Sequence, residues 1–570
     1  MKYNMKYTKV LGLAVAATFA FGACSDEWDE HYDVQPIGDG NGNLWEVISE
    51  DGSLSNFKMV LDSCGFSNTL KSPQVFTVFA PTNDALTTDD ALQLIAEYRK
   101  QKSARVKDDD NSTLKEFVKN HISLYNYSAN QDVQVLEMMN GKHMELSQSS
   151  FGGKTFVSSN ERCGNGILFR IGEKADFFHN VFEYLAADDE LTGVASFLYE
   201  YNKYEFMPGM SVQGGIEDGK TWYVDSVEIL RNEMLERVLG TINNEDSIYK
   251  MVVPTDSEWN RLVEEYTAYF NYNDSVDKRD SLTYLNARLA ILRGTVFSKS
   301  LNTAGWDEEV LDSAVSTNAV PYSLRKYYYG SSDVHYYYYY KPYASGGIFD
   351  GAEKITCSNG QLLKANQWNI DKTETFCQVI KSEAETSMLD FDKSQTLQPT
   401  YLFLESNHPF YNKMSGHESL ILVQKTSTAT ASVEIGLGGV LSNVPYDIQV
   451  VLAPSYLYYL AQGDTIANPL PNVIAAKLNY PDQTGKTQIE EFEAPDGMPF
   501  FYTENYMQMD TITLFKDFKF PTATYGSGTT EEVFLNIENQ YFEAFDAGIA
   551  SKHMLIDCVI LKPVSETEVQ

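Results

Sequence analysis

Tyrosine is the residue type whose placement in this chain offers chemistry most directly. Tyr327, Tyr328 and Tyr329 are followed by the run Tyr336 to Tyr340 and then by Tyr343. Consecutive strand residues point to opposite faces, so one set can pack inward while the other meets solvent. A tyrosine ring presents a flat apolar face and a hydroxyl at small entropic cost, which suits sugar stacking or a protein partner. The candidate ligand contacts are Tyr327, Tyr328, Tyr329, Tyr336, Tyr338, Tyr340 and Tyr343. The competing reading is a tyrosine-rich hairpin packed on its own domain.

Catalytic chemistry has no comparable signal. The chain holds no Gly-x-Ser-x-Gly, His-Glu-x-x-His, phosphate-cradling glycine loop or dinucleotide fingerprint, and His417-Glu418 lacks a second histidine four residues on. Its 79 acidic residues admit a glycosidase-type carboxylate pair but nominate none. Cys64, Cys163, Cys357, Cys377 and Cys558 are too widely spaced for zinc ligation and read as buried thiols, with a Cys357–Cys377 bridge left open. Asp39, Asn41, Asn43 and Glu50 have calcium-loop spacing, but Leu44 stands where that loop needs glycine. No enzyme, cofactor or metal is expected.

The N-terminus carries targeting chemistry. Lys2, Lys6 and Lys9 precede an apolar run from Val10 to Phe21 that is short for a membrane span and has the flanks of an export signal. Gly22-Ala23-Cys24 resembles a bacterial lipobox, which implies cleavage after residue 23 and a lipid anchor on Cys24. The acidic cluster of Ser25, Asp26, Glu27, Asp29 and Glu30 resembles the surface-export tag of some Gram-negative lipoproteins. That resemblance implies an address on the outer face of the outer membrane. Residues 24–42 then form this tag and a polar, glycine-rich linker.

At 570 residues the chain exceeds one ordinary core, and 43% hydrophobic with 13% aromatic content excludes a disordered protein. A formal charge of -35 argues against nucleic acid or an anionic membrane surface as partner.

The elements that position these residues are organised around Val75 to Asp84. Val75, Phe76, Val78 and Phe79 are apolar on both alternating faces, which predicts a strand buried on both sides. Pro81 ends it, and Thr82, Asn83 and Asp84 supply N-caps for a helix through Ala91, Leu92, Leu94 and Ile95. The string with Thr77, Phe79, Pro81, Thr82 and Asn83 resembles the hallmark of the fasciclin (FAS1) domain. Leu44 to Leu70 is similar to that family's opening helices. Leu114 to His121 is similar to its second motif, and Asn165-Gly166 with the strand to Ile171 to its closing signature. His121 sits on an apolar helical stripe and reads as a buried structural histidine.

The pattern recurs. Asn43-Leu44-Trp45-Glu46 returns as Asn180-Val181-Phe182-Glu183, the central strand as Tyr249 to Val253 with Pro254 and Thr255, and the closing pair as Asn359-Gly360. Thr255 and Glu258 have capping-box spacing. The second-motif histidine does not return, since Leu285 to Leu292 leads into Gly294-Thr295-Val296. An insertion between Met207 and Ser247 has Val227, Leu230, Met234, Leu235 and Val238 at helical spacing, closed by Gly240. Glu383 to Pro399 reads as a polar connector. Beyond it, eight short apolar runs from Tyr401 to Leu561 predict a β-sandwich, whose last strand, Met554 to Pro563, resembles that of jelly-roll, carbohydrate-binding-type sandwiches.

The expected fold is multidomain α+β. A signal peptide (1–23) and the linker precede fasciclin-like domain 1 (43–178), a degenerate domain 2 with insertions (179–380) and a jelly-roll-like sandwich (381–570). The resemblance implies non-catalytic adhesion to extracellular polysaccharide or protein. The alternatives are an accessory glycan-binding subunit beside an outer-membrane transporter and, third, a glycan hydrolase.

Overall fold

The computed structural model describes residues 42–208, 212–217, 220–225, 228–319, 336–463, 469–528, 532–540 and 542–564. Cys24, Ser25, Asp26, Glu27, Asp29 and Glu30, together with Tyr327, Tyr328 and Tyr329, lie outside them. The chain divides after His179 into two compact units.

In the first unit, α1 (Leu44–Glu50), α2 (Ser55–Ser63) and α3 (Phe66–Lys71) precede β1 (Phe76–Pro81) and α4 (Thr88–Ser103). Then come β2 (Ile122–Leu124), β3 (Gln134–Glu137), β4 (His143–Leu146), β5 (Ser150–Phe151), β6 (Lys154–Cys163) and β7 (Gly166–Ile171). The sheet order is β2-β1-β7-β6-β5-β4-β3, with β1 parallel to β7 and antiparallel to β2. β1 is buried on both faces because it separates two cores. Phe76 and Val78 pack with Leu44, Phe57 and Leu61 of the helices. Phe79 turns to the strands and stacks on Phe151, with ring centroids 3.6 Å apart. Each such ring contributes roughly 2–3 kcal/mol of burial.

The helix after β1 starts later than Thr82, Asn83 and Asp84 suggest. Thr87 is its N-cap, in a capping box with Asp90. Asn83 is used elsewhere: its Oδ1 accepts from the Asn56 N–H at 3.1 Å and its amide donates to the Gly52 carbonyl at 2.8 Å, so it braces the start of α2.

The second unit opens with α5 (Val181–Ala187) and α6 (Thr192–Tyr199), then β8 (Asn202–Phe206), β9 (Val212–Glu217), β10 (Lys220–Asp225) and β11 (Glu228–Asn232). β12 (Tyr249–Pro254), α7 (Asp256–Thr267), α8 (Arg279–Leu292), β13 (Val296–Ser298), β14 (Ser313–Ala319), β15 (Tyr336–Tyr340), β16 (Glu353–Cys357) and β17 (Gly360–Ala365) follow. β12 repeats the placement of β1, parallel to β17 and antiparallel to β13. Asp256 repeats the brace of Asn83: its carboxylate accepts from the Gly193 N–H at 2.8 Å and from the Thr192 N–H at 3.2 Å.

Three local expectations change here. Of the helix expected across Val227 to Val238, Glu228 to Asn232 is a strand, since β11 pairs with β8, and the helical stretch begins only after Asn232 and ends at Leu239. Asn232 fixes that switch by donating to the Leu198 carbonyl and the Asn202 side chain. Thr255 caps α7 without a side-chain hydrogen bond, because Glu258 instead pairs with Arg261 and accepts from the Trp368 N–H. The stretch from Glu383 is also no plain connector: it contains β18 (Ile380–Glu383), a short helix Ala384–Ser387 and β19 (Met388–Phe391).

The rest is β20 (Thr400–Phe403), β21 (Glu418–Val423), β22 (Ala431–Gly436), β23 (Pro445–Ala453), α9 (Tyr456–Ala461), β24 (Val473–Pro481), β25 (Thr487–Glu491), β26 (Phe501–Tyr502), β27 (Asp510–Lys519), β28 (Phe534–Asn539) and β29 (His553–Pro563). Two sheets form, β20-β21-β29-β23-β27 with β18 also on β29, and β19-β22-β28-β24-β25 with β26 on β24. All eight apolar runs read from the sequence are strands. β18 and β19 escape that reading because their partners, β29 and β22, supply the apolar side.

One core runs from α5 to β29. The Tyr272 hydroxyl donates to the Tyr525 carbonyl at 2.6 Å, Gln483 donates to the Tyr272 carbonyl at 2.9 Å, and Phe270 packs on both Phe376 and Tyr525. The unit is expected to melt in one calorimetric transition. A fragment beginning at residue 381 would expose Tyr525 and its neighbours and cut into β18, so it should be insoluble.

A tyrosine-faced ribbon as candidate binding site

β14 and β15 form an antiparallel ribbon in which Ser313 faces Tyr340, Ala314 faces Tyr339 and Val315 faces Tyr338. The period of two divides the tyrosines cleanly. Tyr336, Tyr338 and Tyr340 are 40%, 48% and 78% exposed, while Tyr337 and Tyr339 are 3% and 1% exposed. The buried pair roots the ribbon. Tyr339 meets Phe297 edge to face at 5.9 Å, and Gly294, at φ +79, leaves the space: a Cβ there would lie 2.7 Å from the Tyr339 hydroxyl and 2.8 Å from Tyr337 Cγ.

Tyr343 does not join the exposed set. It is half-buried, and its hydroxyl accepts from Lys250 Nζ at 2.9 Å. Lys250 is itself buried, donates to the Trp306 carbonyl at 2.8 Å and lies 4.4 Å from the Trp306 ring centroid. Burial, then the nearby Lys354, pushes its pKa down to about 8. A lowered lysine pKa means the charged form carries a penalty in the fold. That penalty is complete below about pH 8 and vanishes as pH rises to the ordinary 10.5. Stability of this unit should therefore gain up to about 3 kcal/mol over that window, and Lys250→Met should remove the gain, both read by denaturant titration.

The hallmark residues hold the fold. His121 Nδ1 donates to the Phe117 carbonyl at 2.7 Å and Nε2 accepts from the Ala175 N–H at 3.1 Å, which fixes the neutral tautomer, while burial pushes its pKa down to about 4. Thr77 Oγ1 donates to the Tyr125 carbonyl at 2.8 Å. Asn165 accepts from the Leu44 N–H and donates to the Leu70 and Ser72 carbonyls; Asn359 accepts from the Val181 N–H and donates to those of Ile242 and Asn244. In the second unit Thr295 precedes the β13 strand as His121 precedes β2, and its hydroxyl donates to the Leu292 carbonyl at 2.7 Å.

A second cluster was missed in the sequence. Glu383, Glu418 and Asp557 are buried where β18 and β21 meet end to end along β29. Asp557 accepts from the Ser415 N–H at 2.9 Å, and Glu383 accepts from the Ser415 hydroxyl at 2.5 Å with Lys381 Nζ at 3.5 Å. The only local signal was a lone acid inside an apolar strand. Among the described residues no group of three or more His, Cys, Asp or Glu is placed to hold a metal ion. Among the described residues Cys64, Cys163, Cys357, Cys377 and Cys558 are all buried, and no disulfide joins Cys357 to Cys377.

Among the described residues no helix is long and apolar enough to cross a membrane. The fasciclin domain model matches residues 52–173. No curated protein matches the chain. Similar solved structures include the FAS1 domain pair of the insect cell adhesion molecule Fasciclin I, at 11% identity over 57% of this chain and 99% of that one, TM-score 0.19. The CBM22-1 xylan-binding domain of Paenibacillus barcinonensis Xyn10C is 10% identical over 33% of this chain and 97% of its own, TM-score 0.20. The C-terminal family 22 carbohydrate binding module of Clostridium thermocellum Xyn10B is 13% identical over 33% and 94%, TM-score 0.16. Superpositions this loose carry no assignment. What stands is the sequence match, which finds a fasciclin domain at residues 52–173.

Proposed function

We propose that this is a non-catalytic surface-binding protein in which the fasciclin domain is followed by a second, degenerate fasciclin-like copy and a jelly-roll-like sandwich. The repeated parallel strand pair, the paired Asn165 and Asn359 clamps and the Asn83 and Asp256 braces support the second copy. The single observation that carries binding is the exposed stripe Tyr336, Tyr338 and Tyr340, backed by a buried root on a unit with one continuous core. The ligand is extracellular polysaccharide. Cys24 is the lipid anchor and the acidic tag directs the protein to the outer face of the outer membrane. The buried carboxylates near Asp557 are shut from solvent, which supports a binding rather than a hydrolytic role.

The test is retention of the intact, signal-less protein on an array of glycans and matrix proteins. Tyr336, Tyr338 and Tyr340 replaced together by serine should lower glycan retention at least about tenfold, with the melting temperature unchanged. A blank glycan array with capture by a matrix protein would contradict the reading. Co-purification with an outer-membrane transporter from cells would place the same face in an uptake complex.

A further inference from the structure

Taking the tyrosine stripe as a glycan site, we infer that it accepts a single, soluble, neutral polysaccharide chain and not the flat face of a crystalline polymer. The reason is the ring geometry. Tyr338 and Tyr340 stand edge to face, with centroids 4.8 Å apart and planes inclined by 72°. Two rings so inclined cannot lie on one plane, which a flat crystalline surface demands. They touch each other edge to face, so one sugar ring at a time can stack on the free face of a phenol, with the neighbouring phenol bounding it.

The stripe is also extended. From Tyr336 to Tyr340 it runs about 14 Å along the strand at two faces per repeat, longer than one sugar ring, so it tracks a chain and not a lone monosaccharide. Its flank is small: Ser313 and Val315, opposite Tyr340 and Tyr338 on β14, are half-buried, while the two tyrosines are 78% and 48% exposed. No charged side chain interrupts the run Tyr336 to Tyr340, and a chain of net charge -35 repels polyanionic glycans. Lys341, just past the run, is a single cation and no match for a polyanion.

The experiment sets soluble mixed-linkage β-glucan, arabinoxylan and galactomannan in affinity gels beside microcrystalline cellulose, chitin and the polyanion heparin, with the intact signal-less protein. The expected result is retardation by at least one soluble neutral polymer, a loss of roughly tenfold in each of Tyr338→Ala and Tyr340→Ala, and near-native retention in Tyr340→Phe. Neither solid should deplete the protein, and heparin should not retard it. Depletion by a solid, or retardation by heparin alone, abolished by the same alanine variants, would overturn the inference and leave glycan binding at this face standing. Binding to none of the six would overturn both.

Discussion

Gly166→Ala and Gly360→Ala are each expected to unfold the unit that holds them, at a cost above about 4 kcal/mol, against the 0.5–3 kcal/mol of an ordinary substitution. The cause is a close backbone approach. A Cβ on Gly166 would stand 2.0 Å from the Phe76 carbonyl oxygen, and one on Gly360 1.9 Å from that of Tyr249. Both oxygens belong to the parallel partner strand, which is locked in register on its other side by β2 or β13, so neither can withdraw. The preceding asparagines make the site doubly demanding. Asn165→Ala and Asn359→Ala each leave one buried N–H, one buried carbonyl and one part-buried carbonyl without their partner, which predicts a loss of roughly 3 kcal/mol. Differential scanning calorimetry checks all four. A native-like melting temperature in either glycine variant would refute the parallel-strand geometry.

The second unit is expected to lose stability as pH rises from the ordinary carboxylate range to about 8. Burial, then the Glu383 carboxylate, pushes Asp557 up to about 8, against the favourable Lys381 ammonium and the Ser415 N–H. Burial, then the backbone of its own residue acting in the opposite direction, then Glu383 and Glu418, leaves Glu385 at about 7. These acids hold protons in the fold that they release when unfolded. The sign follows: their stabilisation is complete below the ordinary carboxylate range and is lost as pH rises through about 7 and 8. For Asp557 alone the loss is on the order of 5 kcal/mol, a large part of a domain's stability. The groups facing it are Glu383, Glu385 and Lys381, with Cys558 donating weakly to its carboxylate. Asp557→Asn keeps the Ser415 acceptor and removes the titration. It should make the fall in stability between pH 5 and 8 markedly shallower, with the remainder due to Glu385, and leave the variant the more stable protein at pH 9. Equal slopes for wild type and variant would contradict this assignment.

The sequence made some of this legible for physical reasons. β1 was readable because both its faces are apolar, and that pattern arises only where a strand separates two cores. The Asn-Gly pairs were readable as punctuation, but not the three hydrogen bonds each asparagine makes, since its partners lie up to 121 residues away for Asn165 and 178 for Asn359. The alternation of Tyr336 to Tyr340 told which set shares a face; the tilt between Tyr338 and Tyr340 depends on rotamers and left no trace in the order of residues. The β18 and β19 strands were hidden because the apolar half of each pairing belongs to strands far along the chain. Lys250 and Asp557 were hidden by the same cause in reverse: each is one polar residue in an apolar strand, and only the fold shows what meets it.

The most direct test of the tyrosine face is nitration footprinting of the intact protein, with modification at each tyrosine read by mass spectrometry in the absence and presence of the polysaccharide it retains. The account predicts that Tyr336, Tyr338 and Tyr340 are modified in the free protein and become protected together when polymer is added, while Tyr337 and Tyr339 stay unmodified throughout. Protection confined to tyrosines of the sandwich, with Tyr336, Tyr338 and Tyr340 still modified, would contradict it and move the binding site off the ribbon.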